Sequence, residues 1–182
     1  MASTRDRALD AAVALVGEQG IRALTHARVD ERAGLPKGST SNWFRTRDAL
    51  IAGVVAWLAE SERADLAADG GPPIETPEQL VDALSGAIAL QTGPLASRTK
   101  TRYAIFFECA GDAELLAPLL AQRRVFVDWT IALLTAVGAR SPRDAARTLM
   151  ATGEGLVLHR MTVDPDAEIR PVIERAVRAA LD

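Results

Sequence analysis

Apolar residues recur at three- and four-residue spacing along almost the whole chain. Nowhere do β-branched residues alternate with polar ones over the length of a strand. This period confines the chain to an all-α fold, and the capping residues divide it into about nine helices. The first runs from about Thr4 to Glu18, with Leu9, Ala12, Val13 and Val16 on one face and Gly20 ending it. Thr25 serves as N-cap for a short second helix, Ala27 to Ala33, closed by Gly34. Pro36 or Lys37 opens a short third helix through about Trp43. Thr46 caps a long fourth, with Asp48 in its first turn, that turns Leu50, Val54, Trp57, Leu58 and Leu66 inward and reaches about Ala68.

The stretch "DGGPPIETP" is the clearest break, and Pro77 can start the next helix, to about Gln91. Further helices span about Arg98–Cys109, "GDAELLAPLL" to Val137, Arg143–Met161 and Ile169–Leu181; Pro118 implies either a late start or a kink in the second of these. The reading is a front module of three helices, residues 1–47, and a larger helical body, 48–182.

Composition narrows the setting. With 182 residues and 48% hydrophobic content the chain can bury a real core. The single Cys109 rules out an intramolecular disulfide, which fits a reducing compartment. The charged start "MASTRDRALD" has no apolar core of a signal peptide, and the longest apolar run, "IALLTAVGA", is too short to span a bilayer. A cytoplasmic protein with no membrane partner is the expectation. Net charge is −3, yet residues 1–50 carry eight Lys/Arg against six Asp/Glu, and Arg28, Lys37, Arg45 and Arg47 lie within twenty positions.

Those cations surround "GLPKGSTSNWFRTRDAL", Gly34 to Leu50, where small hydroxyl residues and Asn42 stand beside Trp43 and Phe44 in a chain with 4% aromatic residues. Two short helices joined by a Gly turn, the second rich in small polar residues, form the plan of a helix-turn-helix DNA reader. A helix entering a major groove about 12 Å wide needs an exposed face that is small and able to hydrogen-bond. Lys37, Ser39, Thr40, Ser41 and Asn42 meet that need. Leu35 and Phe44 can anchor the other side, Trp43 can lie at the edge with its ring N–H toward a phosphate, and Arg45 and Arg47 are phosphate clamps.

The first fifty residues resemble the DNA-binding domain of the TetR family of bacterial transcriptional regulators. The matching pattern is Leu9, Ala12, Gly20, Leu24-Thr25, Val29, Ala33-Gly34-Leu35, Lys37-Gly38-Ser39, Trp43-Phe44, Thr46 and Asp48-Ala49-Leu50. The resemblance implies that Thr25 and Arg28 touch backbone or base edges, that Lys37, Ser39, Ser41 and Asn42 lie on the recognition helix, and that Trp43 and Arg47 contact phosphates. On the residues alone, Thr25 and Thr46 could equally be caps, and Arg28 solvated surface. Ser41 departs from a common Tyr. Asp30 departs from a usual Ala, so it must point outward or pair, with His26 or Arg32 as candidates.

A lone helix-turn-helix reads few base pairs, so a homodimer on two half-sites is expected. "ATGEGLVLH" places Gly153 and Gly155 where a helix could approach a partner, and Leu156, Ile173, Ala176, Val177 and Ala180 make an apolar seam that otherwise packs within the subunit. The family would use the last two helices as the interface. Trp57, Tyr103, Phe106, Phe107, Phe126 and Trp129 form a middle-helix set that either fills the core or lines an effector pocket. Thr130, Glu154 and His159 join Tyr103 as polar candidates.

No enzyme constellation emerges. Lys37-Gly38-Ser39-Thr40 lacks the order and preceding strand of a phosphate-binding loop, Cys109 reads as a small buried hydrophobe, and His26 and His159 give no metal-ligand spacing. The expected function is a repressor, without cofactor or metal, that leaves a palindromic double-stranded DNA operator when a small lipophilic effector binds. The alternative is a helical ligand-binding or interaction protein that does not read DNA specifically.

Overall fold

In the computed structural model the described residues, 3–68 and 73–182, form nine α-helices and a short 3-10 turn, with no strand among them. They are α1 (Thr4–Gln19), α2 (His26–Ala33), α3 (Ser39–Trp43), α4 (Arg47–Ala68), α5 (Pro77–Thr92), α6 (Ala96–Glu108), α7 (Ala113–Ala136), α8 (Pro142–Thr162) and α9 (Arg170–Leu181). Boundaries follow the caps. Ser3 and Asp6 close a reciprocal capping box on α1, Thr76 and Gln79 another on α5, and Gly20, Gly34 and Gly138 end helices at positive φ. α7 begins at Ala113 and takes Pro118 inside it, so the late start is excluded. Part of the "DGGPPIETP" break and the Leu66 side chain lie outside the described residues.

The chain forms two compact units, one of Met1–Asp69 and Ser97–Gln122, the other of Gly70–Ala96 and Arg123–Asp182. In the first, α1 packs against α2, α3 and α4. Leu9, Ala12, Val13 and Val16 are buried as their spacing predicts, in one core with Leu24, Val29, Phe44, Leu50, Val54, Leu58, Ile105 and Leu119. Ion pairs Arg98–Asp65 and Arg102–Glu62 tie α6 to α4. Cys109 belongs to the same core, and its thiol is pushed up by burial and then by the neighbouring Glu108 and Asp112 carboxylates, away from the reactive thiolate. In the second unit α5, α8 and α9 pack together around Leu80, Leu84, Ile88, Leu149, Leu156, Ile173 and Val177.

Candidate nucleic-acid interface

α2 is capped by Thr25, whose Oγ1 accepts the Arg28 amide N–H at 3.4 Å, an acceptor role that does not use its own hydroxyl hydrogen. The helix stops at Gly34 with φ +61°, which favours glycine. The Arg7 guanidinium from α1 donates to the Ala33 carbonyl at 2.7 Å, satisfying a C-terminal acceptor the helix itself leaves open. Arg32 pairs with Glu18 of α1, and Arg28 with Gln19.

The turn to α3 differs from the sequence expectation. Neither Pro36 nor Lys37 is helical; Lys37 and Gly38 form a turn, Gly38 has φ +92°, and α3 begins at Ser39. Lys37 therefore precedes the recognition helix rather than standing on it. α3 is five residues long, about 7.5 Å at roughly 1.5 Å per residue, which is too short to hold itself.

Asp30 supplies what is missing. Its side chain points into the module, and the residue is only 3% exposed. One carboxylate oxygen accepts the Gly38 N–H at 2.7 Å; the other accepts the Thr40 N–H at 2.8 Å and the Thr40 hydroxyl at 2.5 Å. Burial pushes this carboxyl up, but the Thr40 hydroxyl and amide, the Gly38 amide and the His26 charge together outweigh it and hold the carboxyl below its ordinary value. This corrects two expectations. Asp30 does pair rather than point outward, but with Thr40 and the Gly38 amide instead of Arg32, His26 contributing only its charge; and Thr40, at 0% exposure, is no base reader, because its hydroxyl is spent on Asp30.

The C-terminal end of α3 is fixed separately. Phe44 is buried, its carbonyl accepts from His26 Nε2 at 2.5 Å, and the Arg5 guanidinium lies 5.7 Å from its ring centre. Gly53 of α4 lies so close to this ring that a Cβ there would come within 2.4 Å of it. With Thr40 and Phe44 inward, α3 turns out Ser41, Asn42 and Trp43, the last 56% exposed, beside the exposed Lys37 of the turn. Ser39 is half-buried, its hydroxyl donating to the Pro36 carbonyl; the Ser41 hydroxyl donates to that of Gly38. Thr25, Arg28, Arg45 and Arg47 of the same module are exposed too, with Arg47 donating to the Ile21 carbonyl at 3.3 Å. Thr46 is a cap, its Oγ1 accepting the Ala49 N–H at 3.0 Å.

The candidates in the body divide between the units. Trp57, Tyr103 and Phe106 are half-buried in the first unit, with the Arg102 guanidinium 5.4 Å from the Tyr103 ring centre; Phe107 is 74% exposed and turns outward, not inward as a core or pocket residue would. In the second, Phe126 and Trp129 stack with ring centres 5.4 Å apart, buried Thr130 donates to the Phe126 carbonyl at 2.9 Å, Glu154 pairs with Arg123, and His159 is exposed. The expected dimer seam needs correction. Leu156, Ile173 and Val177 are buried inside the subunit, and Gly153 faces Ile88 of α5. Ala176 and Ala180 are half-buried, and only Gly155 of that set is exposed. Among the described residues no group of His, Cys, Asp or Glu side chains could hold a metal ion, and no helix is long and apolar enough to cross a membrane.

Comparison with known proteins agrees with this architecture. Residues 8–54 match the family of bacterial regulatory proteins, tetR family, and residues 75–182 match the tetracyclin repressor-like C-terminal domain. No curated protein matches the chain. Among solved structures, a TetR-family member from Streptomyces coelicolor A3 is 26% identical at TM-score 0.71, covering 98% of this chain and 99% of its own. The multidrug binding protein EbrR, in complex with ethidium, is 27% identical at TM-score 0.69 with the same coverage. A transcriptional regulator from Rhodococcus sp. Rha1, 23% identical over 98% of this chain and 94% of its own, shares the fold at TM-score 0.74. With both its helix-turn-helix module and its C-terminal body matched, the chain belongs to the TetR family of transcriptional regulators.

Proposed function

We propose that the protein is a dimeric repressor that reads a palindromic operator through residues 1–47 and releases it when a small lipophilic effector binds within 48–182. The observation that carries this reading is the outward face of α3 and its approach: Ser41, Asn42 and Trp43 project from a helix pinned at both ends, Lys37 is exposed in the turn before it, and Thr25, Arg28, Arg45 and Arg47 of the same module are exposed as well. Asn42 and Lys37 offer the bidentate and charged groups that distinguish base edges, while Trp43 and the arginines suit phosphates. Ser39, half-buried, stands at the margin of this face.

Dimerisation is assigned to the exposed face of the last two helices, where Ala151, Gly155 and Leu158 of α8 and Val172 and Ala179 of α9 lie at helical spacing. The effector class follows the relative EbrR, which is complexed with ethidium, malachite green and proflavin. Flat lipophilic aromatics suit partly enclosed rings, either Trp57, Tyr103 and Phe106 of the first unit or the stacked Phe126 and Trp129 of the second. Release requires only that the effector bind one conformation of the body more tightly than the other.

The test is selection of duplexes from a random pool by the purified protein, followed by gel shift across a salt series. One enriched palindrome is expected, bound less tightly as salt rises, with Asn42→Ala losing preference for it and ethidium weakening the complex. Selection without enrichment, or Asn42→Ala indistinguishable from wild type, would refute operator reading.

A further inference from the structure

We infer that Asp30 is a positioning residue for DNA reading: from α2 it caps and orients the recognition helix α3, so that sequence discrimination depends on a carboxylate that never meets DNA. The inference rests on the operator-reading function above. α3 has no cap of its own, because the residue before it is Gly38, which has no side chain to offer. The first amide groups of a helix have no partner within it. Here the Gly38 and Thr40 N–H groups are taken by Asp30, eight and ten residues upstream, at 2.7 and 2.8 Å, and the Thr40 hydroxyl is taken at 2.5 Å. Three bonds to one buried carboxylate fix both the rotation of α3 about its axis and the path of the chain entering it.

Rotation is what base reading demands. Ser41 and Asn42 follow Thr40 directly, so a turn of α3 that released the Thr40 side chain would swing both away from their outward direction. Productive contacts tolerate only about 10–20° of such error. Phosphate contacts from Arg28, Arg45 and Arg47 arise outside α3 and carry no sequence information. Loss of the Asp30 bonds therefore costs discrimination before it costs general affinity.

Two substitutions separate this role from bulk stability. Asp30→Asn keeps an oxygen for the Thr40 groups but presents an NH2 group to the Gly38 N–H. Thr40→Val removes the hydroxyl at nearly constant shape, and Thr40→Ser restores it. The readouts are affinity for the duplex enriched by the wild type, affinity for a scrambled duplex at the same salt, amide exchange at Gly38 and Thr40, and the melting curve.

Expected for Asp30→Asn and Thr40→Val is at least a roughly tenfold loss on the enriched duplex, the size of one good base contact. Binding to the scrambled duplex should fall much less, by the share of Trp43 alone, because the arginine contacts lie outside α3, with wild-type behaviour in Thr40→Ser. Gly38 exchange should accelerate in Asp30→Asn while Thr40 stays protected. Equal losses on both duplexes, or wild-type discrimination in Asp30→Asn and Thr40→Val, would overturn the positioning role alone. A pool that yields no enriched duplex with the wild type overturns operator reading, and this inference with it.

Discussion

Gly17 sits near the end of α1, where helix propensity and packing predict opposite signs for a single methyl group. In an open helix, Gly→Ala stabilises by about 0.5–1 kcal/mol, because the glycine loses more backbone entropy on folding. Here a Cβ on Gly17 would lie 2.3 Å from the Ser97 hydroxyl, 2.4 Å from its carbonyl oxygen and 2.8 Å from its carbonyl carbon. The hydroxyl could rotate aside, but the other two atoms are backbone in the first turn of α6. Clearing them means moving α6 off α1 by about 1 Å, the difference from ordinary van der Waals contact. Such overpacking costs about 1–3 kcal/mol. The same seam holds the buried Thr101 hydroxyl, which lies 2.7 Å from the Val13 carbonyl of α1 and 2.9 Å from the Ser97 carbonyl; losing the link across to α1 adds about 1 kcal/mol. After the propensity gain, Gly17→Ala should be destabilised by about 1–3 kcal/mol. In a chain of this length that lowers the melting temperature by about 2–4 °C per kcal/mol. Thermal unfolding followed by circular dichroism measures the shift. An unchanged or raised melting temperature would refute the close approach of α1 and α6.

Gly53→Ala drives a methyl into the Phe44 ring at 2.4 Å. It should weaken binding to the enriched duplex by at least about fivefold while Gly86→Ala, in open space on α5, leaves it unchanged; gel shift compares the two. Acid should unlock the same module. Asp30 has a folded-state pKa below its ordinary value despite burial, so its contribution is fully present above the unfolded carboxylate value of about 4 and is lost as the pH falls through its own lower value. Urea unfolding should show the stability gap between wild type and Asp30→Asn closing across that acid window; a gap that stays constant would contradict the assignment. Leu158→Asp, on the exposed face of α8, should shift the protein toward monomer in sedimentation at micromolar concentration, whereas a wild-type dimer would remove that face from the interface.

What the sequence made legible and what it concealed divide along physical lines. Caps and breaks are local, so Thr25, Thr46, Pro77, Gly20 and Gly34 announced the helices to within a residue or two. The departure of Asp30 from its family pattern was visible, whereas Thr40 read as one more small polar residue of the recognition face. Their pairing was not, because ten residues and a turn separate them and nothing in helical periodicity links α2 to α3. Periodicity also marks Leu156, Ile173 and Val177 as apolar without saying what covers them. The answer, α5 and the neighbouring helix of the same subunit, is tertiary. Gly17 and Gly53 read as ordinary helix glycines until the opposing atoms are known.

The recognition helix itself shows why such hidden contacts matter. Five residues form about one and a half turns, which in isolation would not be helical at all. Its geometry is imposed from outside: by Asp30 of α2 on its amide end, by His26 on the Phe44 carbonyl that follows it, by Arg5 of α1 and Gly53 of α4 on the Phe44 ring. The outward face of α3 is therefore set by three other helices. On the proposed operator reading, substitutions in those supports should act on discrimination more than on general affinity, whereas substitutions at Arg28, Arg45 or Arg47 should do the reverse. The support at Gly53 belongs to α4, the helix that follows α3 in the chain. A change in α4 can thus reach α3 through packing against one aromatic ring, with no change in any residue of its outward face.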